Sequence, residues 1–253
     1  MSPILISLSA FGAAEVRRHG QRWFARLAEQ AGADGVEVRG ELLVDAAAEL
    51  PAIADAVPRL ERVYSSPEGL WTDDGALDCA ALERALAAAH ALGARRLKMS
   101  IGGWRTTSAA TLPELHQRLA GADVELVIEN DQTLSAGTLT ALAAFFGAVQ
   151  GLDLAPGMTF DMGNWHWTGE CPLQAATALA SHVRYVHCKG VQRQPQRWVA
   201  VPLTESATPW RAVLRALPPG QPWAIEYPLA GDDLLGVTRR EVTQLRQIAA
   251  SLP

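Results

Sequence analysis

The sequence predicts one (β/α)8 TIM barrel, a closed parallel α/β sheet ringed by helices, as a single domain over residues 1–253. Three observations carry this. Eight short β-type runs alternate with helically spaced apolar stripes along the whole chain, the pattern of parallel strands joined by crossover helices. The 253 residues match the roughly 250 that eight such units occupy. The rival, an open doubly wound sheet, wants a glycine-rich phosphate loop after its first strand, and SLSAFGAAE holds no G-x-G-x-x-G.

The predicted strands, in order, are ILISLS (4–9), GVEVRG (35–40), ERVYSS (61–66) and RRLKMS (95–100). VELVIEN (124–130), MTFDMGN (158–164), VRYVHCKG (183–190) and WAIEYPL (223–229) follow. Between them, Phe24, Leu27, Ala28 and Ala31 recur at i, i+3, i+4 and i+7, as do Leu82, Ala85, Leu86 and Ala89, and Leu139, Leu142, Ala143 and Phe146. Each set is one apolar helical stripe able to cover a sheet. Gly32, Gly93 and Gly121 stand where three helices want a left-handed end. No linker, charge block or low-complexity segment divides the chain.

Composition narrows the function. With 49% hydrophobic and 19% charged residues the chain forms a core rather than staying disordered. Against 22 Lys and Arg stand 27 Asp and Glu, a net charge of −5, which argues against phosphate-backbone binding and so against nucleic acid as partner. No run approaches the roughly 18 apolar residues of a membrane span. The start, MSPILISLSAFG, lacks a basic region ahead of its short apolar run. Three cysteines, Cys79, Cys171 and Cys188, with no C-x-x-C, make a disulfide framework improbable and fit a reducing cytoplasm. The expectation is a cytoplasmic protein with a small-molecule ligand.

In such a barrel function sits at the carboxyl ends of the strands. The fifth predicted strand ends in Glu129, the sixth carries Asp161, the seventh His187 and the eighth Glu226. A lone Glu or His at a strand end is ordinarily solvated or salt-bridged. Carboxylates within apolar strands are different, because charges are rarely buried unless paired or metal-bound. Four metal-capable side chains on consecutive strands point to a site. Three carboxylates and one imidazole suit an octahedral, oxygen-rich centre for Mn²⁺ or Mg²⁺, with Co²⁺ or Zn²⁺ also accommodated.

With these residues the sequence resembles the xylose-isomerase-like TIM barrels, which include ketose 3-epimerases, hydroxypyruvate isomerases and apurinic endonucleases. The resemblance covers the whole barrel, and the family's metal ligands, Glu, Asp, His and Glu on strands five to eight, match Glu129, Asp161, His187 and Glu226. The wording ENDQT, MTFDMGNWHW, YVHCK and AIEYPLAGDDLL is most similar to a bacterial branch named as epimerases of 2-ketogluconate utilisation. The resemblance implies one divalent metal, Mn²⁺ first, and an enediolate mechanism. Lewis-acid polarisation of a ketose would acidify the C–H between carbonyl and hydroxyl. One of Glu129 and Glu226 would remove the proton and the other return it to the opposite face. Return to the neighbouring carbon would give isomerisation instead, and sequence leaves that open. The family commonly forms dimers or tetramers, so a homodimer or homotetramer is expected.

Several neighbours are candidate substrate contacts. Lys189 shares a strand face with His187. Arg193 lies six residues past His187, where the 3-epimerases place a substrate-binding arginine. Both could hold hydroxyls or a carboxylate, and a local salt bridge is the plain alternative. Glu37 is a further candidate. It shares a face with Arg39, and for both, as for Lys98 on strand four, internal ion pairing is the rival. Trp71, Trp104, Trp165 and Trp167 follow predicted strands and could face a sugar or simply pack. Trp165 and His166, just past Asp161, are singled out. His90, His116 and His182 read as structural, and His19 as part of a loop between strand one and the first helix. Cys188 should face the helix layer.

Departures from the family narrow the chemistry. Three residues past Asp161 the epimerases and endonucleases usually carry His; here it is Asn164, still able to bind substrate but not a second zinc. The strand-three and strand-four ends, YSSPE and LKMSIGG, lack the endonuclease histidines, and QRQPQRWVAVP lacks their Asp-x-His. An Asp-x-Asp for a second metal is also missing. The expected function is therefore a one-metal sugar isomerase or epimerase acting on a keto-sugar or keto-aldonate. The alternatives are a lyase or dehydratase using the same enolate, and a sugar-binding barrel without turnover.

Overall fold

The apolar runs are buried on both faces, as strands of a parallel sheet under a helix layer must be; Ile4, Leu5 and Ile6 have no exposed surface. In the computed structural model, which describes residues 2–150, 152 and 156–252, ten strands form. They are β1 (Ile4–Ser7), β2 (Gly35–Arg39), β3 (Glu61–Trp71), β4 (Arg96–Gly102) and β5 (Glu125–Glu129), then β6 (Gly157–Asp161), β7 (Val183–Cys188), β8 (Gly190–Arg193), β9 (Trp198–Val201) and β10 (Trp223–Ile225). Eight of them close a barrel in the order β1-β10-β7-β6-β5-β4-β3-β2, every pairing parallel.

The helices are α1 (Ala13–His19), α2 (Gln21–Gln30), α3 (Ala46–Ala56), α4 (Cys79–Leu92), α5 (Leu112–Leu119), α6 (Leu139–Val149), α7 (Pro172–Leu179), α8 (Trp210–Ala216) and α9 (Leu234–Ser251). Their predicted stripes do face the sheet: Phe24, Ala28, Leu82, Ala85, Leu142 and Phe146 join Ile4, Ile6, Val36 and Val38 in one continuous core. Asp78 and Thr138 cap α4 and α6 by accepting from the amides of Ala81 and Ala141. Gly93 ends α4 at φ +60°, a left-handed turn that a side chain would strain. No described helix is long and apolar enough to cross a membrane.

Inside the barrel, period-two alternation builds layers. Leu5, Val63, Tyr185 and Ala224 form a small apolar plug. Two residues past Leu5, Tyr185 and Ala224 come Ser7, His187 and Glu226, and Glu37 of β2 lies beside Ser7, so polar groups crowd the carboxyl end.

Several strand boundaries differ from expectation, and β1 and β6 stop at Ser7 and Asp161, short of residues 9 and 164. β3 runs on to Trp71 after a register shift between Ser65 and Gly69. The seventh predicted strand stops at Cys188, and Gly190 opens an antiparallel hairpin, β8–β9, above the barrel. A Cβ at Gly190 would lie 2.7 Å from the Pro202 carbonyl, so this tight departure needs glycine. The eighth predicted strand ends at Ile225, and the Glu226 amide is held beside it by the Cys188 carbonyl at 3.3 Å. His19 is corrected as well: it is the last residue of α1, not a loop residue, because Ala13 already begins that helix.

Candidate metal centre

Four adjacent strands deliver the four predicted ligands. Because β10, β7, β6 and β5 are neighbours in that order, Glu226 and Glu129 stand at the two ends of an arc with His187 and Asp161 between them. One ligand atom from each lies within 4.8 Å of every other. His187 Nδ1 is 3.0 Å from Glu129 Oε1, 3.0 Å from Glu226 Oε2 and 3.7 Å from Asp161 Oδ2.

Each carboxylate is oriented by its second oxygen. Asp161 Oδ1 accepts from the Gly163 and Asn164 amides at 2.7 and 2.9 Å, which turns Oδ2 toward the cluster. Glu129 Oε2 meets Lys98 Nζ at 2.8 Å, and Glu226 Oε1 accepts from Arg39 Nη1 at 2.9 Å. The two glutamates therefore share one plan, one oxygen on a cation of the barrel wall and the other on the cluster. The imidazole is fixed from behind, with Nε2 2.7 Å from Glu37 Oε2.

Charge explains how this assembly stays buried. Burial alone would raise the Glu37 carboxyl, but His187, Lys98 and Arg39 overcome it and hold it far below its ordinary value. Glu226 is likewise held well below its ordinary value against burial, by His187 and Lys189, and Glu129 is lowered by Lys98 and His187. Burial pushes Asp161 up despite Lys189. Burial opposes the His187 imidazolium, but Glu226 and Glu37 raise its pKa well above the usual value.

This donor set fits a divalent cation. Three carboxylate oxygens and one imidazole nitrogen converge, and oxygen-rich sets favour Mn²⁺ and Mg²⁺. The imidazole also has the carboxylate behind it that metal-ligating histidines ordinarily use to fix their tautomer. A cation there would take the place of the proton that now lets His187 sit among acids.

The remaining predicted residues divide. Asn164 and Lys189 join the cluster: Asn164 Oδ1 accepts from Lys189 Nζ and Gln132 Nε2, both at 3.1 Å, and Lys189 Nζ lies 2.7 Å from Asp161 Oδ2 and 2.8 Å from Glu226 Oε2. Glu37 and Trp165, expected as substrate contacts, have no exposed surface and are placed as supporting residues. Glu37 lies behind His187, and Trp165 packs on Phe160 at 5.4 Å between ring centroids. His166 lines a side cavity of about 220 Å³ with Lys189 and Trp210, and its ring meets Trp198 of β9 at 4.8 Å. Arg193 is not brought to the cluster; it is exposed on β8, its guanidinium over the Trp198 ring at 5.2 Å. Of the other tryptophans, Trp71 and Trp104 pack edge to face on each other and on Phe145.

Four contributors escaped the sequence reading. Gln21 clamps the Arg39 backbone with two 2.8 Å hydrogen bonds, and Ser7 donates to Glu37 at 3.2 Å. Asn130 locks β6 by bonding both the amide and the carbonyl of Asp161. Gln132 holds Asn164. Only Asn130 had a usable signal, a buried amide directly after a predicted ligand.

A cavity of about 430 Å³ opens over the cluster, lined by Glu226, Arg39, Lys189, Gln132, Ser9 and Ala200 among others. A larger one, about 830 Å³, lies at the opposite end of the barrel around Arg95 and Val124, remote from the converging side chains.

Comparison with known proteins agrees with this layout. The family model described as xylose isomerase-like TIM barrel matches residues 25–246. A solved L-ribulose 3-epimerase is similar over 100% of this chain and 96% of its own, with a TM-score of 0.71 and 17% identity. A xylose isomerase-like TIM barrel protein from Mycobacterium smegmatis, in complex with magnesium, gives 0.68 and 18% identity over 100% and 98%. A probable 3-DHS dehydratase from Bacillus anthracis gives 0.68 and 14% over 97% and 99%. Comparison with curated protein sequences gave no match.

Proposed function

The chain belongs to the xylose isomerase-like TIM barrel family, and we propose that it is a divalent-metal-dependent isomerase or epimerase of a keto-sugar or keto-aldonate. One observation carries this: Glu129 and Glu226 stand at opposite ends of the ligand arc, each with one oxygen on the cluster and the other on a cation of the barrel wall. Two carboxylates so placed can serve the two faces of one substrate carbon.

A divalent metal held by Glu129, Asp161, His187 and Glu226 would supply Lewis-acid polarisation of the carbonyl. The residues do the rest. Lys98 and His187 hold Glu129 ionised, and His187 and Lys189 hold Glu226 ionised, so one of the two can accept the C–H proton. The other, having taken up a proton from solvent, delivers it to the far side of the carbon, which inverts the centre, while the first gives its proton up to solvent; delivery to the adjacent carbon isomerises the substrate instead. Glu37 keeps the His187 ring from turning. The hairpin, reaching the cavity through Ala200, narrows water access.

Mn²⁺ is the first candidate ion, with Mg²⁺, Co²⁺ and Zn²⁺ as alternatives, supported by the donor chemistry. Within that class an acidic keto-sugar is the first candidate, supported by Lys189 and Arg39 at the cavity, and the wording of the site segments favours the branch named for 2-ketogluconate utilisation. A cytoplasmic location accords with three free cysteines. Assembly as a homodimer or homotetramer follows from the family resemblance.

Proton exchange tests the reading. Protein loaded with Mg²⁺, which leaves NMR lines sharp, is incubated in D₂O with ketoses and 2-keto-aldonates. Loss of one C–H signal, abolished in Glu129→Gln and Glu226→Gln, is expected. A product lighter by water identifies a dehydratase instead. No exchange with any candidate, repeated with Mn²⁺ followed by chelation, leaves a binding barrel.

A further inference from the structure

Lys189 occupies ground that a metal would need. Asp161 has spent Oδ1 on two backbone amides, and Glu226 has spent Oε1 on Arg39. Their remaining oxygens, Oδ2 and Oε2, face His187 Nδ1, and Lys189 Nζ lies 2.7 and 2.8 Å from those same atoms. An ammonium and a divalent cation drawn to the same two oxygens repel each other strongly at such spacing.

The lysine has room to yield. Its stem runs over Gly163, where a Cβ would come within 2.6 Å of Cδ. It lines the 430 Å³ cavity, whose described wall contains Arg39 and Lys189 but, among acids, only Glu226. An ammonium displaced into that cavity finds no second protein carboxylate, and its other partner is the neutral Asn164 Oδ1.

We propose that Lys189 is an exchangeable cation: metal binding frees its ammonium from Asp161 and Glu226, and the ammonium then binds the carboxylate of an acid-sugar substrate. This rests on reading the cluster as the metal site of a sugar enzyme. A carboxylate monoanion matches the single ammonium released. In metal-free protein the ammonium neutralises the ligand carboxylates. In loaded protein it is the group that distinguishes a sugar acid from a neutral sugar.

The test uses two steps that need no turnover. Chelator-treated full-length protein, native, Lys189→Met and Lys189→Gln, is titrated with Mg²⁺ by calorimetry. Both variants should bind Mg²⁺ more tightly than the native chain, since no ammonium has to leave. The loaded proteins are then titrated with D-gluconate, D-glucitol and D-glucitol 6-phosphate. Loaded native protein should prefer gluconate to glucitol by about tenfold or more, the scale of a hydrogen bond to a charged group. The preference should vanish in both variants and in metal-free native protein.

Weaker Mg²⁺ binding by folded variants overturns the exchange. An unchanged gluconate preference in the variants shows the acid is held by the metal alone and overturns the recognition. Stronger binding of glucitol 6-phosphate than gluconate overturns the carboxylate assignment. Should both variants fail to fold, the native comparison with and without Mg²⁺ still decides: equal gluconate preference in both states refutes the proposal. Failure of proton exchange with this preference intact would remove the isomerase reading while leaving Lys189 its role.

Discussion

Replacing Glu37 by Gln removes one charge, keeps the side-chain shape, and leaves all four metal-ligating residues in place. Its consequence can be worked from the contacts. Glu37 Oε2 lies 2.7 Å from His187 Nε2, while Oε1 faces Arg39 at 3.0 Å, Lys98 at 3.1 Å and Ser7 at 3.2 Å. Around a carboxylate every one of these groups can donate. An amide must present its NH₂ to one side. Facing Arg39 and Lys98, it meets donors with a donor and leaves both cations less compensated. Facing His187, it moves the ring proton to Nδ1, the nitrogen needed for the metal. Either way the ligand loses basicity or its tautomer. Loss of such a supporting carboxylate typically weakens metal binding 10- to 100-fold, or about 1.4–2.7 kcal/mol. The assay is a calorimetric Mn²⁺ titration of chelator-treated native and Glu37→Gln protein, with circular dichroism as the fold control. A dissociation constant within about twofold of native in folded Glu37→Gln would refute the reasoning.

Other outcomes follow from the same contacts. Lys98→Met strips a fully enclosed ammonium from between Glu37 and Glu129; metal-free protein should lose about 3–5 kcal/mol, a fall of roughly 6–20 °C in a thermal melt. Glu129→Gln and Glu226→Gln should each slow deuterium exchange by about 10²- to 10⁴-fold at saturating metal and substrate, the usual contribution of general acid–base catalysis, read by NMR. Gly163→Ala sits at φ −83°, so its backbone is unstrained, but the new Cβ crowds Lys189; Mg²⁺ affinity should persist while the gluconate preference falls. Trp198→Ala removes the ring that holds His166 and Arg193 on the hairpin. Trypsin should then cleave faster after Arg193 and Arg197, with the barrel melt lowered by no more than about 6 °C, because one aromatic pair contributes up to about 1.5 kcal/mol.

What could be read before folding was largely periodic. Alternation along each strand put Glu129, Asp161, His187 and Glu226 at carboxyl ends, and barrel order then made them neighbours. Period-two logic also places Cys188 away from His187, and it is buried on the helix side. Strand ends were less legible. Nothing in YVHCKGVQRQ announces that pairing stops at Cys188, because the hairpin that follows is equally β-like; only the approach of the Pro202 carbonyl to Gly190 sets the break. That break leaves Arg193 on an exposed hairpin, away from the cluster, whereas the family resemblance implies a substrate contact there.

By itself, then, the sequence determined the barrel and the identity of its four converging donors, since hydropathy period and strand order are local or sequential properties. Tertiary structure decided what each donor answers to. Glu37 reaches His187 across 150 residues, and Arg39 reaches Glu226 across 187, because closure brings strands that are not sheet neighbours face to face in the interior. Pattern along one strand says which way a side chain points. Which charge it meets on the far wall depends on barrel closure, and that pairing is what lets so many ionised groups remain buried.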